Sequence, residues 1–376
     1  MSILISVLAL YTVSPFFRLL HAIRAKRTNA PVVLVWYTGK LGDLVCLTGV
    51  MKAFRETRFG SKIILIARAP FTDILANNPN IDEIVQFKTD RDLASLSWLV
   101  SVWKRISTHP VKETHVLIES PEAAVDGLWF DSPVRRLLVT TNRRSTKTLL
   151  SRHYTLHPFP YDCRIKHWYL SEFAGVKPSD ERYPNELFFP GIKDTVAQRW
   201  DQAGMGQFEN VVGVLPSSGK GFKRWPEVRW RNLVEILDGL GCGIVFFGAG
   251  KNESDLIDRL QSSVRSKSLK VVDAPLTDVP YYLKTCSLVV GVDTGLIYIA
   301  DALGIPVVDI MGPVDEVQQR PEHQYRLVSN LGKCSKIVKT PPHRVMTHQD
   351  LVAIARCFES ITVQDVFEAV QSLLYR

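Results

Sequence analysis

Apolar residues in this chain follow two periods that alternate along its length. PVVLVWY, residues 31–37, is a continuous run rich in Val, the pattern of a strand buried on both faces of a parallel sheet. From about Leu44 to Thr57 the spacing is helical; KIILIAR then reads as a strand, FTDILANN as a short helix and DEIVQF as a strand. DLASLSWLVSVWKRI is an amphipathic helix, and HVLIE and RRLLVTT are later strands. The grammar restarts at NVVGVLPSSG. GCGIVFFGAG, LKVVDA, CSLVVGVDTG and GIPVVDIMGP are strands that end in turns, with PEVRWRNLVEILDGL and ESDLIDRLQSSV as helices between them. Alternating units of this kind predict α/β architecture with parallel sheets covered on both faces.

A chain of 376 residues exceeds one comfortable core, so two domains are expected. The polar, Pro-containing YPNELFFPG breaks the rhythm around Tyr183–Pro190. The predicted partition is an apolar N-terminal helix over 1–28, a doubly wound domain over 29–188 and a second over 189–376. The last of these ends in the amphipathic helix ITVQDVFEAVQSLLYR, whose packing partner the pattern leaves open. No repeat and no low-complexity block interrupts this scheme.

ILISVLALYTVSPFFRLLHAI, from Ile3 to Ile23, changes the picture. Pro15 and Arg18 interrupt it, and it falls short of the ~20 uninterrupted apolar residues of a clean membrane span. No basic residue precedes it and no small-residue cleavage site follows, so it does not read as a cleaved signal peptide. Three readings stand: a helix anchored at a membrane surface, a helix packed on the protein, and a true span. Arg18, Arg24, Lys26 and Arg27 would keep the rest of the chain cytoplasmic. The expectation is a cytoplasmic body, peripheral to or anchored at the inner membrane.

Charge points the same way. The formal net charge is +8, which favours an anionic partner: a phosphorylated ligand, a membrane surface or nucleic acid. No nucleic-acid motif and no aromatic platform on a basic sheet supports the last of these, so no nucleic-acid partner is expected. Six cysteines form no CxxC pair and no metal-ligand spacing, which predicts free thiols in a reducing compartment and no metal site.

The turns after the strands carry the candidate chemistry, as expected where ligands bind beyond the carboxyl ends of parallel strands. GKLGDLVCLTG places one acid, Asp43, at the mouth of a helix between glycines and apolar residues. It reads equally as a helix cap or as a general base; partial desolvation would raise its pKa and the helix dipole would lower it. SSGKGFKRWP gathers Lys220, Lys223 and Arg224 with the hydroxyls of Ser217 and Ser218 before a helix. That is either a diphosphate cradle or a solvated basic turn. In VDTG, Asp293 and Thr294 occupy cap positions and Gly295 permits close backbone approach. Neither GxxxxGK[ST] nor a GxGxxG after the first strand is present, which weighs against kinase and dehydrogenase readings.

Together these segments resemble one family. GKLGDLVCLTGVMKAFRETRFGSKIILIAR with ILANNPNIDEIVQF, then LPSSGKGFKRWPEVRW, then SLVVGVDTGLIYIADALGIPVVDIMGP are similar, in order, to the signatures of glycosyltransferase family 9, the ADP-heptose:lipopolysaccharide heptosyltransferases. HWYLSEFAGVKP and CFESITVQDVFEAV extend the likeness from about Val32 to Leu374. The resemblance implies a GT-B fold, two Rossmann-like doubly wound domains facing across a cleft. The first domain would hold the acceptor and the second the nucleotide sugar. It also implies inverting transfer without a metal ion, and an ADP-sugar as co-substrate rather than a cofactor.

On this sequence the resemblance makes Asp43 the base and Lys223 the neutraliser of the donor phosphates. Ser217 and Ser218 fall at the phosphates, Asp293, Thr294 and Gly295 at the diphosphate and sugar, and Glu253 at the ribose. Tyr298 stands where the family often has His, so a phenol replaces a potential cation. The cysteine-rich tail common in relatives is reduced to Cys334 and Cys357, and the family's acid-containing turn near the fourth strand takes the form IESPEAAVDG here. The implied acceptor, an anionic lipid-linked glycan at the inner leaflet, would meet cations of the first half: Lys40, Arg68, Arg143 and Arg144. Two alternatives remain: the same fold with another nucleotide sugar or acceptor, and a catalytically silent scaffold.

Overall fold

The computed structural model describes residues 3–26, 28–93, 95–118, 120–139, 150–159, 163–178, 181–218, 223–312, 317, 320–329 and 348–375. The chain divides into two compact units, Met1–Tyr183 and Pro184–Arg376. In the first, β1 (Val32–Tyr37), β2 (Lys62–Arg68), β3 (Glu83–Phe87), β4 (Val111–Val116), β5 (Val134–Val139) and β6 (Thr155–Pro158) pair in parallel, in the order β3-β2-β1-β4-β5-β6. In the second, β7 (Val211–Leu215), β8 (Gly243–Gly248), β9 (Ser268–Val272), β10 (Leu288–Val292), β11 (Val307–Ile310) and β12 (Tyr325–Val328) also pair in parallel, in the order β12-β11-β10-β7-β8-β9. Read from its β9 edge, the second sheet repeats the order of the first. Each is the doubly wound Rossmann arrangement, with its order reversing between first and fourth strands.

The apolar runs explain the central strands: every residue of β1, β7 and β10 is buried. The edge strands β6 and β12 escape the sequence pattern because they are four residues long and largely half-exposed, so no apolar run marks them. β4 begins at Val111, earlier than HVLIE suggests. Its polar start is tolerated because Glu113 is paired: Arg58 Nη2 donates to it at 3.0 Å and His115 Nε2 lies 2.8 Å away. The helix expected from Leu44 to Thr57 is in fact two, α2 (Leu41–Cys46) and α3 (Thr48–Thr57), meeting at Leu47.

The N-terminal helix α1 (Ile3–Arg24) belongs to the first unit. Val7 and Leu10 enter its core, and Phe17 stacks on Trp129 at 3.7 Å between ring centroids. Trp129 Nε1 donates to the carbonyl of Leu10, and His21 is held between the His109 carbonyl and the Asp131 amide. Of the three readings of this segment, packing on the protein is realised along one face. Among the described residues, no helix is long and apolar enough to cross a membrane. In the second unit the C-terminal helix Val363–Leu374 buries Val366, Val370 and Leu373 against the sheet, and Thr362 and Asp365 form a capping box at its start. Cys46, Cys163, Cys242 and Cys286 are free thiols, whereas Cys357 is disulfide-bonded, contrary to the all-thiol expectation.

The Glu113–His115 pair makes the first unit sensitive to acid. Burial pushes the His115 imidazole down to about 4, so the ring is neutral at pH 7 and donates from Nε2 to Glu113. Burial alone would raise Glu113, but the hydrogen bonds from His115 and Arg58 outweigh it and hold the carboxyl at about 2. Below the ordinary histidine range the unfolded chain takes up a proton that folded His115 refuses. Stability therefore falls as pH drops from about 6.5 to about 4, and the Glu113 contribution is lost lower still. Thermal unfolding followed from pH 7 to pH 4 should show a loss of about 3 kcal/mol from this source, which a His115→Gln variant should lack.

Candidate functional site

Both parallel sheets gather their strand ends at one edge, and the crevice lies where strand order reverses. In the second unit that place is between β7 and β10, which are hydrogen-bonded neighbours. The loop after β7 carries Ser217, Ser218 and Lys223; the loop after β10 carries Asp293 and Thr294. Lys223 Nζ donates to Asp293 Oδ2, joining the two loops by a buried ion pair whose side chains are 13% and 8% exposed. The other oxygen, Asp293 Oδ1, accepts from the Tyr298 hydroxyl at 3.0 Å. Tyr298 is itself buried in the helix Gly295–Ala302, so its contact is with the acid that precedes that helix. Thr294 is the N-cap residue and Asp293 lies one place before it.

The position of Lys223 is fixed by its neighbours. Trp225 is buried edge-on against Trp230, and its Nε1 donates to the Ile361 carbonyl at 2.9 Å. Pro226 then caps the helix Glu227–Gly239. An indole two residues from the lysine thus anchors a basic turn that would otherwise be solvated.

On the other side of Trp225 lies a cavity of about 610 Å³, lined among others by Ser217, Ser218, Arg224, Asn252, Glu253 and Arg259. That size suits a nucleotide-like ligand. Among the described residues, Ser217 Oγ is buried there without a hydrogen-bond partner, a hydroxyl available to an oxyanion. Glu253 also serves the fold, since its Oε2 accepts the Ala249 amide at 2.7 Å at the start of the helix Gly250–Gln261. The structure therefore brings the sequence candidates together in two groups: Ser217, Ser218 and Glu253 in the cavity, and Lys223, Asp293 and Tyr298 beside it. Residues 219–222, Lys220 among them, lie outside the described residues.

Sequence reading missed Asp309. It sits in β11 with both oxygens buried and unpartnered among the described residues. Burial, then the nearby Asp293, push its carboxyl well above the usual carboxylate range. Asp309 stands on the strand beside β10, so its raised pKa keeps a second carboxylate charge away from the Lys223–Asp293 pair. The signal was present: VVDI carries one carboxylate inside an otherwise apolar strand.

In the first unit, Asp43 follows β1 and occupies the third position of α2, with Lys40 as the N-cap residue. It is half-exposed while Leu44, Val45 and Cys46 behind it are buried. Two buried phenols feel its charge: burial first, and then Asp43, push Tyr37 and Tyr169 well above their ordinary range. Tyr169 donates to the Leu117 carbonyl at the end of β4, so the acid stands at this sheet's own switch point. Lys40 is exposed. Arg68 is engaged, pairing with Asp90 at 2.5 Å over the Phe87 ring. Arg143 and Arg144 lie outside the described residues.

With this geometry in place, comparison with known proteins is informative. The sequence model of glycosyltransferase family 9 (heptosyltransferase) matches residues 173–343. The chain is 24% identical over 209 residues to lipopolysaccharide heptosyltransferase 2 of Salmonella typhimurium, covering 53% of this chain and 58% of that protein. It is 19% identical over 290 residues to lipopolysaccharide heptosyltransferase 3 of Escherichia coli, covering 74% of this chain and 83% of that one. The first of these matches thus spans under two thirds of the relative's length. Among solved structures, the glycosyl transferase family 9 protein of Veillonella parvula superposes with a TM-score of 0.74 at 17% identity, over 93% of this chain and 99% of the other. E. coli ADP-heptose lps heptosyltransferase II gives 0.66 at 18% identity over 92% and 98%. The E. coli heptosyltransferase WaaC with ADP gives 0.65 at 16% over 91% and 99%. Together with the two Rossmann-like sheets, these superpositions identify the fold as GT-B.

Gly39 supplies a local test of how Asp43 is positioned. A Cβ there would overlap the Tyr37 hydroxyl and crowd Ile118. Gly39→Ala should therefore destabilise the protein by about 1–3 kcal/mol in urea unfolding while leaving nucleotide affinity unchanged. A neutral effect on stability would show that the turn does not depend on this close approach.

Proposed function

We propose that this chain, a member of glycosyltransferase family 9 by the match of its residues 173–343, transfers a heptose from ADP-heptose to the inner core of lipopolysaccharide. The observation that carries this reading is the meeting of Lys223, Asp293 and Tyr298 beside a cavity lined by Ser217, Ser218 and Glu253. Ser217, Ser218, Lys223 and Asp293 follow β7 and β10, the switch point where a doubly wound sheet binds phosphorylated ligands, and Glu253 follows the neighbouring β8. The relatives named for heptosyl transfer, and the ADP bound in one of the superposed structures, support the choice of donor.

In this reaction an acceptor hydroxyl attacks the anomeric carbon from the face opposite the diphosphate. The new C–O bond forms as the bond to the diphosphate breaks, with inversion. Asp43 takes the hydroxyl proton, and ADP leaves as an anion that needs no proton, so one carboxylate suffices where glycosidases use two. Lys223 stabilises charge on the departing diphosphate; groups aimed at developing charge in this way supply about 3–4 kcal/mol. Arg224, at the cavity wall, adds a second cation, and in this reading the two replace a metal ion. Asp293, held by Tyr298, keeps the ammonium in place until diphosphate oxygens share it. The acceptor is an anionic lipid-linked glycan, met by Lys40 in the first unit, with the enzyme working on the cytoplasmic side of the inner membrane.

Incubation with ADP-heptose and a Kdo-bearing lipid A acceptor, following ADP release and acceptor mass, tests the reading. Wild type should add one heptose with inverted anomeric configuration. Asp43→Asn should bind ADP normally and lose about 10²–10⁴-fold in kcat. Transfer by that variant at the wild-type rate would remove Asp43 as base. Binding of another nucleotide sugar, with no turnover of ADP-heptose, would overturn the donor.

A further inference from the structure

The helix α1 has two unlike faces. Inward lie Val7, Leu10, Ser14 and His21, all buried, with Phe17 stacked on Trp129. Outward lie Leu8, Val13, Phe16, Leu19 and Ile23, which are 49%, 40%, 60%, 61% and 72% exposed. At 100° per residue these five fall within one stripe, and Leu8 to Ile23 spans about 22 Å of helix. Between the same two residues, Ala9, Thr12, Pro15 and Ala22 complete the exposed surface, and none is charged.

Two features separate this face from an ordinary exposed apolar patch. First, its polar groups are satisfied within the helix. Thr12 Oγ1 donates to the Ala9 carbonyl at 2.7 Å, so the exposed threonine does not need water for its proton. Pro15 has no N–H to give the Tyr11 carbonyl, and Ser14 Oγ donates to that carbonyl at 2.8 Å instead. A helix facing hydrocarbon requires such internal pairing, because no water is there to replace a missing partner. Second, the charged side chains of the segment itself have one sign. No carboxylate occurs before Asp43, while Arg18, Arg24, Lys26, Arg27 and Lys40 all do. Arg24 and Lys26 are exposed where the apolar stripe ends, and Lys104 is exposed beside Trp103, the ring over which Arg24 lies.

We propose that the outward face of α1 is a docking surface for an anionic lipid bilayer, with the helix lying flat in the headgroup region and Arg24 and Lys26 on lipid phosphates. An amphipathic helix with one apolar face and flanking cations binds membranes in this way. A second copy of the chain is the less favoured occupant, because each such face carries cations and no acid on its own helix. The packed inner face, fixed by Trp129 and His21, keeps the helix joined to the first sheet while it docks. The inference deepens the reading of a membrane-borne acceptor and rests on it for its purpose, whereas the contact itself can be tested without donor or acceptor.

The full chain is sedimented with phosphatidylcholine vesicles, with and without phosphatidylglycerol. Wild type should pellet with the anionic vesicles, and Phe16→Ser/Leu19→Ser/Ile23→Ser should lower binding at least roughly tenfold at an unchanged unfolding midpoint. Arg24→Gln/Lys26→Gln should keep the stripe but bind anionic vesicles severalfold less well, with little change on neutral ones. Equal binding by the triple variant, or wild type left in the supernatant with anionic vesicles, overturns the proposal. So does a concentration-dependent dimer in ultracentrifugation that the triple variant dissolves, which would assign the face to a second copy. None of these outcomes depends on whether ADP-heptose is the donor.

Discussion

The ion pair between Lys223 and Asp293 is the interaction around which the candidate donor site is built. The two residues are 70 apart in the chain, and they meet because β7 and β10 are adjacent where the strand order reverses. A parallel sheet puts every strand-to-helix turn at one edge, so two loops can converge there only across such a reversal. Burying a lysine and an aspartate costs several kcal/mol per ion unless both are paired and their remaining groups are hydrogen-bonded. Tyr298 provides the second bond to Asp293, and Asp309 on the strand beside β10 stays protonated and adds no competing charge. The arrangement holds a cation beside a nucleotide-sized cavity without letting it retreat into solvent.

The first unit uses the same sheet order for a different end. Its switch-point turn presents a carboxylate, not a cation, and backs it with buried phenols in place of counter-ions. Tyr37 and Tyr169 stay protonated in this setting, so they enclose Asp43 without neutralising it. In the proposed reaction the acid of the first unit takes a proton and the Lys223 ammonium of the second, held by Asp293, faces the leaving diphosphate.

Much of this was legible in the residues. Apolar runs marked ten of the twelve described strands, most plainly the central ones, because a strand buried on both faces must be apolar throughout. The turns with chemistry stood out because Asp43, Lys223 and Asp293 each interrupt apolar or glycine-rich surroundings. β6 and β12 stayed hidden because short edge strands need no apolar run. The polar start of β4 was also hidden, because its tolerance depends on Arg58, 55 residues distant in the chain.

By itself the sequence determined the fold class, the alternation of elements and the residue types offered at each turn, because these depend on local period and composition. Only the tertiary structure decided which of those residues meet. It joined Lys223 to Asp293, turned Tyr298 toward that acid, set Ser217 and Glu253 into one cavity and tied Arg68 to Asp90. It also decided that one face of α1 is core and the other surface, although both are apolar in sequence. The reason is physical: pairing, burial and exposure belong to neighbours in space, and the parallel crossovers that create those neighbours leave no local mark in the chain.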